Sequence, residues 1–396
     1  MNARGDANED RGPASASNEQ HSSDSRSLRV HLVPAFDEPT MIVLRHALGP
    51  NVTLTPGPVP GGRQADPPPR EPFDGTAGLS AQELQDLSQC DILVSGRPSR
   101  EHLQQAQKLR ALIIPWAGLP TSTRDLLLEF PHLSIHNLHD NAAPTAEMAL
   151  TLMLAAAKRI IPNDSALRQG DWRPRYAPED PSIMLEGKTV VVLGFGAIGR
   201  RVARMCQGLG MQVVGVRRSS AAPDPQETEV GHPATFAHHP EVPGAEIVTR
   251  DALHEVLQRA HALVISVPLT PETEGMIGEH ELGLLQPQSV IVNIGRGPIV
   301  DQHALYAALT DARHPLAAAG LDVWYNYPAD EAARAKTFPA EVPLHELDQV
   351  VMSPHRAAIV HSAEARKRRM LALADLLNTA ASGRPLPNRV DLEAGY

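Results

Sequence analysis

The order of apolar and polar positions divides this chain into two series of strand and helix signals. Leu28-Arg-Val-His-Leu-Val33 alternates and reads as a half-buried strand. A helix is predicted over Thr40 to Leu48, stopped by Gly49-Pro50. Short apolar runs at 92–95 and 112–115 then alternate with polar, helix-patterned stretches at 81–87 and 100–108, as βαβ units of a parallel sheet would. The stretch from Pro144 to Ile161, with TAEMALTLMLAAAKRI, is apolar on nearly every side, which predicts a buried helix between domains or subunits. Pro144 suits its first turn, where a missing N–H costs nothing. A second series begins at Lys188 with TVVVLGF (189–195), QVVGV (212–216), ALVISV (262–267) and SVIVNI (289–294). Such near-continuous Val/Ile/Leu runs mark strands covered by helices on both faces. A last long helix is predicted over 361–381, and no repeat of fixed period is present.

Three segments fall outside this pattern: residues 1–27, 56–75 and 219–244. The first is too polar to repay the entropy of ordering and is expected to be a disordered tail; the other two are rich in proline. They change how the composition reads. A chain of 396 residues with 42% hydrophobic and 21% charged residues suits a two-domain globular protein. The net charge is −10, yet these segments hold 12 of the acidic and 5 of the basic residues, so most of that charge belongs to loops and tail. With no basic surplus, a nucleic-acid partner is not expected. No apolar stretch is long enough for a membrane span, and the first 27 residues lack the apolar core of a secretory signal, so a cytoplasmic location is expected. Two cysteines, Cys90 and Cys206, cannot form a disulfide framework or a four-thiolate zinc site, and Cys206 reads as a buried thiol. His232, His238 and His239 lack metal-ligand spacing, and no metal site is expected. Arg366-Lys-Arg-Arg369 reads as a solvated helix face.

Candidate chemistry starts at Gly194-Phe195-Gly196-Ala197-Ile198-Gly199. A glycine sextet alone is a weak signal, but this one follows a strand, opens a helix and precedes another strand at βαβ spacing. Gly194 would permit the tight turn, Gly196 the approach of a pyrophosphate, and Gly199 close packing of helix on strand. At the end of the next strand, NAD-binding chains carry Asp or Glu for the ribose hydroxyls; here the residues are Arg217-Arg218-Ser219. Two guanidiniums with a hydroxyl suit a 2′-phosphate, so NADP is the preferred cofactor and NAD remains possible.

Four further motifs carry a resemblance: Val267-Pro268-Leu269-Thr270-Pro-Glu-Thr273, Val292-Asn293-Ile-Gly-Arg296-Gly297, Gly320-Leu-Asp322-Val323 and Met352-Ser-Pro354-His355. In this order and at this spacing, the chain from about 28 to 391 resembles the D-isomer-specific 2-hydroxyacid dehydrogenases. The resemblance implies an α/β fold of two Rossmann-like, doubly wound parallel-sheet domains, with the cofactor domain inserted into a split, flavodoxin-like substrate domain. The expected division is 28–143 plus 358–396 for substrate and 144–357 for the dinucleotide, assembled as a homodimer. It also implies hydride transfer between a nicotinamide and a small 2-oxo or D-2-hydroxy acid. Arg296 would grip the substrate carboxylate and His355 would be the general acid/base. Asp322 would lie near the nicotinamide carboxamide, with Ser266, Pro268 and Asn293 lining the same cleft. Asn141-Ala-Ala-Pro-Thr-Ala-Glu147 matches the start of the family's interdomain helix, where Glu147 reads as structural.

Two departures stand out. The family pattern Asp-Val-Phe-x-x-Glu-Pro has a glutamate that bonds the catalytic histidine; here the stretch is Asp322-Val-Trp324-Tyr-Asn-Tyr327-Pro328. Tyr327 would orient His355 as a neutral phenol, and loss of a nearby anion lowers the histidine pKa relative to relatives that keep it. Asp330 and Glu331 are alternative carboxylate partners. One reading is an active reductase with a His–Tyr pair, and the other is a dinucleotide-sensing protein with weakened turnover. Action on a different anion through the same arginine is a third. The substrate loop, a Gly-Ala-Gly-like turn in relatives, is here Pro115-Trp116-Ala117-Gly118-Leu119-Pro120. Trp116, Ala117 and Gly118 are candidates for substrate contact, although Trp116 equally fits ordinary packing.

Overall fold

The computed structural model describes residues 27–57, 79–177, 182–218, 242–358 and 362–393. The tail, most of the Pro-rich segment 56–75, and residues 219–241 with Ser219, His232, His238 and His239 lie outside the described residues. Two parallel sheets carry the fold, each continuing the apolar logic of its strands. The first contains β1 (Leu28–Leu32), β2 (Val52–Pro56), β3 (Ile92–Val94), β4 (Ala111–Ile114) and β5 (Ser134–Asn137), in the order β2-β1-β3-β4-β5. The second contains β6 (Thr189–Leu193), β7 (Gln212–Arg217), β8 (Glu246–Thr249), β9 (Ala262–Ile265), β10 (Ser289–Asn293), β11 (Leu316–Leu321) and β12 (Val350–Met352). Its order is β12-β11-β10-β9-β6-β7-β8. The first order is that of flavodoxin-like sheets, and the second that of a dinucleotide-binding sheet extended by one strand.

The second sheet shows why its strands read as continuous apolar runs. Val190 and Val192 of β6 point to one face, against α5 (Ala142–Ala157) and α7 (Ala197–Gly208); Val191 and Leu193 point to the other. That second face is covered by α8 (Leu253–Leu257), α9 (Glu279–Gly283) and α10 (Gln302–Thr310), through Val256, Leu257, Leu282, Leu305 and Leu309. Each such fully buried Val or Leu is worth about 1.5–3 kcal/mol.

In the first sheet, Leu93, Leu112 and Ile114 pack under α2 (Ala81–Gln89), α3 (Arg100–Gln105) and α4 (Thr121–Leu127). The opposite face, with Val30, Ile92 and Ile113, lies beneath α1 (Glu38–Ala47) and the C-terminal α11 (Ala363–Ala381). The chain's last helix thus returns to the sheet built from its first strands. Local signals start these helices. Asp37 caps α1 by accepting the Thr40 N–H at 2.9 Å, so the helix begins at Glu38, two residues before the predicted start, and Ser80 and Glu83 form a reciprocal capping box on α2.

The apolar stretch 144–161 differs from its prediction as one helix. α5 ends at Ala157, Arg159 takes a left-handed conformation (φ 54), and α6 (Ile160–Arg168) leaves in a new direction. The buried side of α5, with Ala149, Leu152, Met153 and Ala156, packs on β10, β11 and α7. Ile160, Ile161, Leu167, Trp172, Tyr176 and Met184 are left as exposed apolar side chains. The basic run on α11 is not all solvated, because Arg369 turns in to Asp140 at 3.1 Å. Cys90 and Cys206 are free and buried, which pushes both thiols up to about 12. Among the described residues no helix is long and apolar enough to cross a membrane.

Three histidines of the first sheet and its helices, His31, His102 and His136, are buried. Desolvation lowers all three pKa values from the usual histidine range, against opposing help from Asp86 and Glu83 at His31, from Glu83 and Glu101 at His102, and from the Pro387 carbonyl at His136. The unfolded chain therefore binds more protons than the native one just below about pH 6.5. The stability these neutral rings contribute is complete above that pH and is lost as the pH falls toward their folded values. Thermal unfolding followed between pH 7.5 and 5 should show a falling midpoint, with a shallower fall in His31→Asn or His102→Asn; curves parallel to wild type would show that these rings do not set the pH dependence.

Candidate active site

The candidate residues gather at the C-terminal ends of the parallel strands, where doubly wound sheets open their crevices. β6 runs into the glycine turn. Gly194 adopts φ 95, and a Cβ on Gly199 would stand 1.9 Å from the Gly194 carbonyl oxygen, so turn and helix meet at a distance only glycine allows. Phe195 is buried and packs against Gly215 of β7, so it builds the floor of the turn. Gly196 is exposed with open space where a Cβ would stand. It caps α7 without a side-chain bond, and Ala197 and Ile198 form the first helical turn. An uncapped helix N-terminus behind a glycine cradle fits the pyrophosphate of a dinucleotide.

Ser266, just past β9, donates its hydroxyl to the Gly194 carbonyl at 2.8 Å and braces the turn. The Pro268 carbonyl accepts the Thr273 hydroxyl at 2.7 Å, which shapes the loop beyond it. Arg217 closes β7 and Arg218 follows it, exposed.

Arg296 follows β10. Asn293 holds its loop: the side-chain amide donates to the Arg296 carbonyl at 2.9 Å, and its oxygen accepts the Gly295 N–H at 3.0 Å. Asn293 is buried, and both of its polar atoms are used in presenting Arg296. The guanidinium donates to the Gly295 carbonyl at 2.6 Å yet keeps surface exposed to the open cleft. Desolvation by the surrounding protein lowers its pKa from the ordinary arginine value, and Tyr327 opposes that shift.

The substrate loop approaches from the other sheet. A Cβ on Gly118 would lie 3.1 Å from Arg296 Nη2, so the loop after β4 abuts the arginine after β10. The Ala117 carbonyl is held by the Asn137 amide at 2.7 Å, and the Trp116 ring lies flush on Gly96.

His355 is placed by a buried carboxylate. Asp322 Oδ1 accepts the Ser353 hydroxyl and the Arg356 N–H (2.8 Å), and Oδ2 accepts the Ala357 N–H (2.9 Å). The loop thus wraps around Asp322 with His355 at its crest in a left-handed conformation (φ 56), which a non-glycine residue holds only when its surroundings impose it. Trp324 adds a second brace through its indole N–H to the Ser353 carbonyl at 2.8 Å. The Tyr327 hydroxyl lies 2.9 Å from His355 Nδ1 and accepts the Trp324 N–H at 3.2 Å. The two alternative carboxylates are engaged elsewhere: Asp330 accepts the Ala333 N–H, and Glu331 faces Arg334.

Ser353, Trp324 and Asn137 were not singled out in the sequence. Ser353 stood inside the Met-Ser-Pro-His motif, and its spacing two residues before His355 was the available signal.

A family model described as "D-isomer specific 2-hydroxyacid dehydrogenase, NAD binding domain" matches residues 150–357. A D-3-phosphoglycerate dehydrogenase of Methanocaldococcus jannaschii is 30% identical over 320 residues, covering 80% of this chain and 54% of the relative. This chain therefore spans about half the length of that protein. A glyoxylate reductase of Thermococcus litoralis is 29% identical over 332 residues, covering 81% of this chain and 89% of the relative. Among solved structures, a D-isomer specific 2-hydroxyacid dehydrogenase of Xanthobacter autotrophicus in complex with NADPH shares the fold, with a TM-score of 0.67 at 22% identity, covering 93% of this chain and 100% of that one. An NADPH-dependent glyoxylate/hydroxypyruvate reductase of Sinorhizobium meliloti gives a TM-score of 0.64 at 20% identity, covering 93% and 100%.

Removing the Asp322 carboxylate would orphan one hydroxyl and two backbone N–H groups at once. Asp322→Ala should lower unfolding stability by about 3 kcal/mol or more, since each orphaned buried donor costs about 1–3. A urea midpoint corresponding to a loss below about 1 kcal/mol would show that the loop is held by other means.

Proposed function

The chain belongs to the D-isomer-specific 2-hydroxyacid dehydrogenases, and from that premise we propose that it reduces small 2-oxo acids of the glyoxylate and hydroxypyruvate kind to D-2-hydroxy acids, using NADPH in preference to NADH. The observation that carries the reading is the position of Tyr327, bonded to His355 at 2.9 Å and within the field of Arg296. An acid/base group and a carboxylate-binding cation thereby share one cleft beside the glycine turn. Residues 28–143 and 358–396 form the substrate half of this reading, and 144–357 the cofactor half.

The nicotinamide, when bound, supplies the hydride. Gly194, Gly196 and the first turn of α7 would hold its pyrophosphate, and Arg217 and Arg218, standing where NAD-binding sequences carry Asp or Glu, would favour the 2′-phosphate. Arg296 takes the substrate carboxylate in its guanidinium fork and turns the 2-oxo group toward His355. His355 Nε2–H donates a proton to the carbonyl oxygen as that oxygen gains charge. On the far side of the ring the phenol adapts: it accepts from Nδ1–H when the imidazole is charged and donates to a bare Nδ1 when it is neutral. The Tyr327–His355 bond therefore survives the proton transfer. The exposed apolar side chains around α6 support a homodimer, because a patch of this kind gains most from being covered.

Purified protein with either NADPH or NADH, screened against a panel of 2-oxo acids, tests the reading. Oxidation of NADPH should be faster than that of NADH and should fall about 10²–10⁴-fold in His355→Ala. Cofactor binding with no turnover on any acid would favour the dinucleotide-sensing alternative. The Tyr327 role has its own test. An anion beside an imidazole raises its pKa, so Tyr327→Glu should move the fall-off of reduction to higher pH, whereas an unchanged pH profile would remove Tyr327 from the mechanism.

A further inference from the structure

Away from the cleft, the fold brings together three metal-ligating side chains that lie far apart in the sequence. His254 is on α8, and His280 and Glu281 are on α9. One donor atom from each lies within 4.8 Å of the other two. His254 Nε2 stands 2.9 Å from Glu281 Oε1, and the two imidazole rings meet edge to face with centroids 5.1 Å apart. The carboxylate is already oriented, because Glu281 Oε2 accepts the Gly278 N–H at 3.0 Å, leaving Oε1 to face the histidines. Burial alone would raise the Glu281 pKa, but its bonds to Gly278, to its own N–H and to His254 carry it below the ordinary glutamate range. His254 and His280 are exposed, so the open side of the group faces solvent.

We propose that His254, His280 and Glu281 form a binding site for one divalent transition-metal cation of the zinc class, which ties α8 to α9 on the outer face of the second sheet. Two neutral imidazoles and one carboxylate oxygen are the donor set of open zinc sites, with water completing the coordination. Imidazole nitrogen selects zinc, cobalt, nickel or copper over magnesium and calcium, which prefer all-oxygen shells. The cation replaces the hydrogen bond between His254 Nε2 and Glu281 Oε1, the proton of the neutral imidazole residing on its solvent-facing Nδ1, and takes both atoms as ligands with His280 as the third. Both helices sit on the sheet through buried side chains, Val256 and Leu257 from α8 and Leu282 from α9, so the backbone frame is in place before the metal arrives. The site is independent of the reductase reading, since none of its residues belongs to the cleft.

The full chain, stripped with a chelator, would be titrated calorimetrically with Zn²⁺, and with Co²⁺ while following its visible absorption. One tight equivalent is expected, with a Co²⁺ spectrum of low-coordinate nitrogen and oxygen ligation and a Zn²⁺-dependent rise in thermal midpoint. His254→Ala and His280→Ala should each weaken binding by about tenfold or more, and Glu281→Gln, which keeps the cap on Gly278, should weaken it without unfolding the helix. The double variant His254→Ala/His280→Ala guards against the other histidines of the chain. If it keeps the tight equivalent and the Co²⁺ spectrum, or if wild type takes up Mg²⁺ as readily as Zn²⁺ or binds no metal, the proposal is overturned.

Discussion

The placement of His355 depends on one buried carboxylate. Asp322 stands at the end of β11 and collects a hydroxyl and two backbone N–H groups from the loop after β12. A left-handed conformation for a non-glycine residue costs about 1–3 kcal/mol, and three hydrogen bonds to one buried carboxylate offset it. The carboxylate is in turn held by the sheet, because the Asp322 N–H is bonded to the Asn293 carbonyl at the end of β10. Two neighbouring strand ends thus serve both candidate side chains, with Asn293 fixing the Arg296 loop and Asp322 fixing the His355 loop. The geometry of the candidate site is a property of sheet register more than of the loops that display it.

That arrangement explains which parts were legible in the sequence. The interior strands β6, β7, β9 and β10 announced themselves because both of their faces are buried and their central positions are apolar. The edge strands β2, β5, β8 and β12 gave no such signal: they are short, half-exposed or polar, as in VTLTP, SIHN and EIVT. β11 is interior and was still silent, because LAAAGL is nearly all alanine and glycine, residues of low strand propensity. Small side chains are needed there because α5 lies close, and a Cβ on Gly320 would stand 2.7 Å from the Leu152 Cβ. The break in the apolar helix at Arg159 was hidden for a related reason. Periodicity reports which residues are apolar, and Ile160 and Ile161 are apolar but exposed.

Site residues divide in the same way. Motif order singled out Arg296, His355 and Asp322 as candidates, but a motif does not say what a side chain touches. Asp322 and Asn293 were expected in the cofactor cleft, and their polar atoms are engaged in holding backbone. The grouping of His254 with His280 and Glu281 had no sequence signal at all, because it arises from two crossover helices lying side by side over one sheet face.

The replacement of a carboxylate by Tyr327 alters the charge balance of the cleft. A glutamate at this position would place an anion in the field of Arg296 and compete with a substrate carboxylate for it. A phenol satisfies His355 geometrically without neutralising the arginine, so at equal protonation of His355 the cleft carries one more unit of positive charge than its carboxylate-bearing counterpart. Desolvation by the surrounding protein lowers the Arg296 pKa from the ordinary arginine value. In the proposed reductase an incoming carboxylate would offset that desolvation, in a medium where the attraction is stronger than in water. Substituting a neutral partner for the charged one therefore exchanges support for the imidazolium for a stronger demand for an anionic substrate. In the proposed reductase, these two effects act on different steps, one on proton delivery and the other on substrate capture.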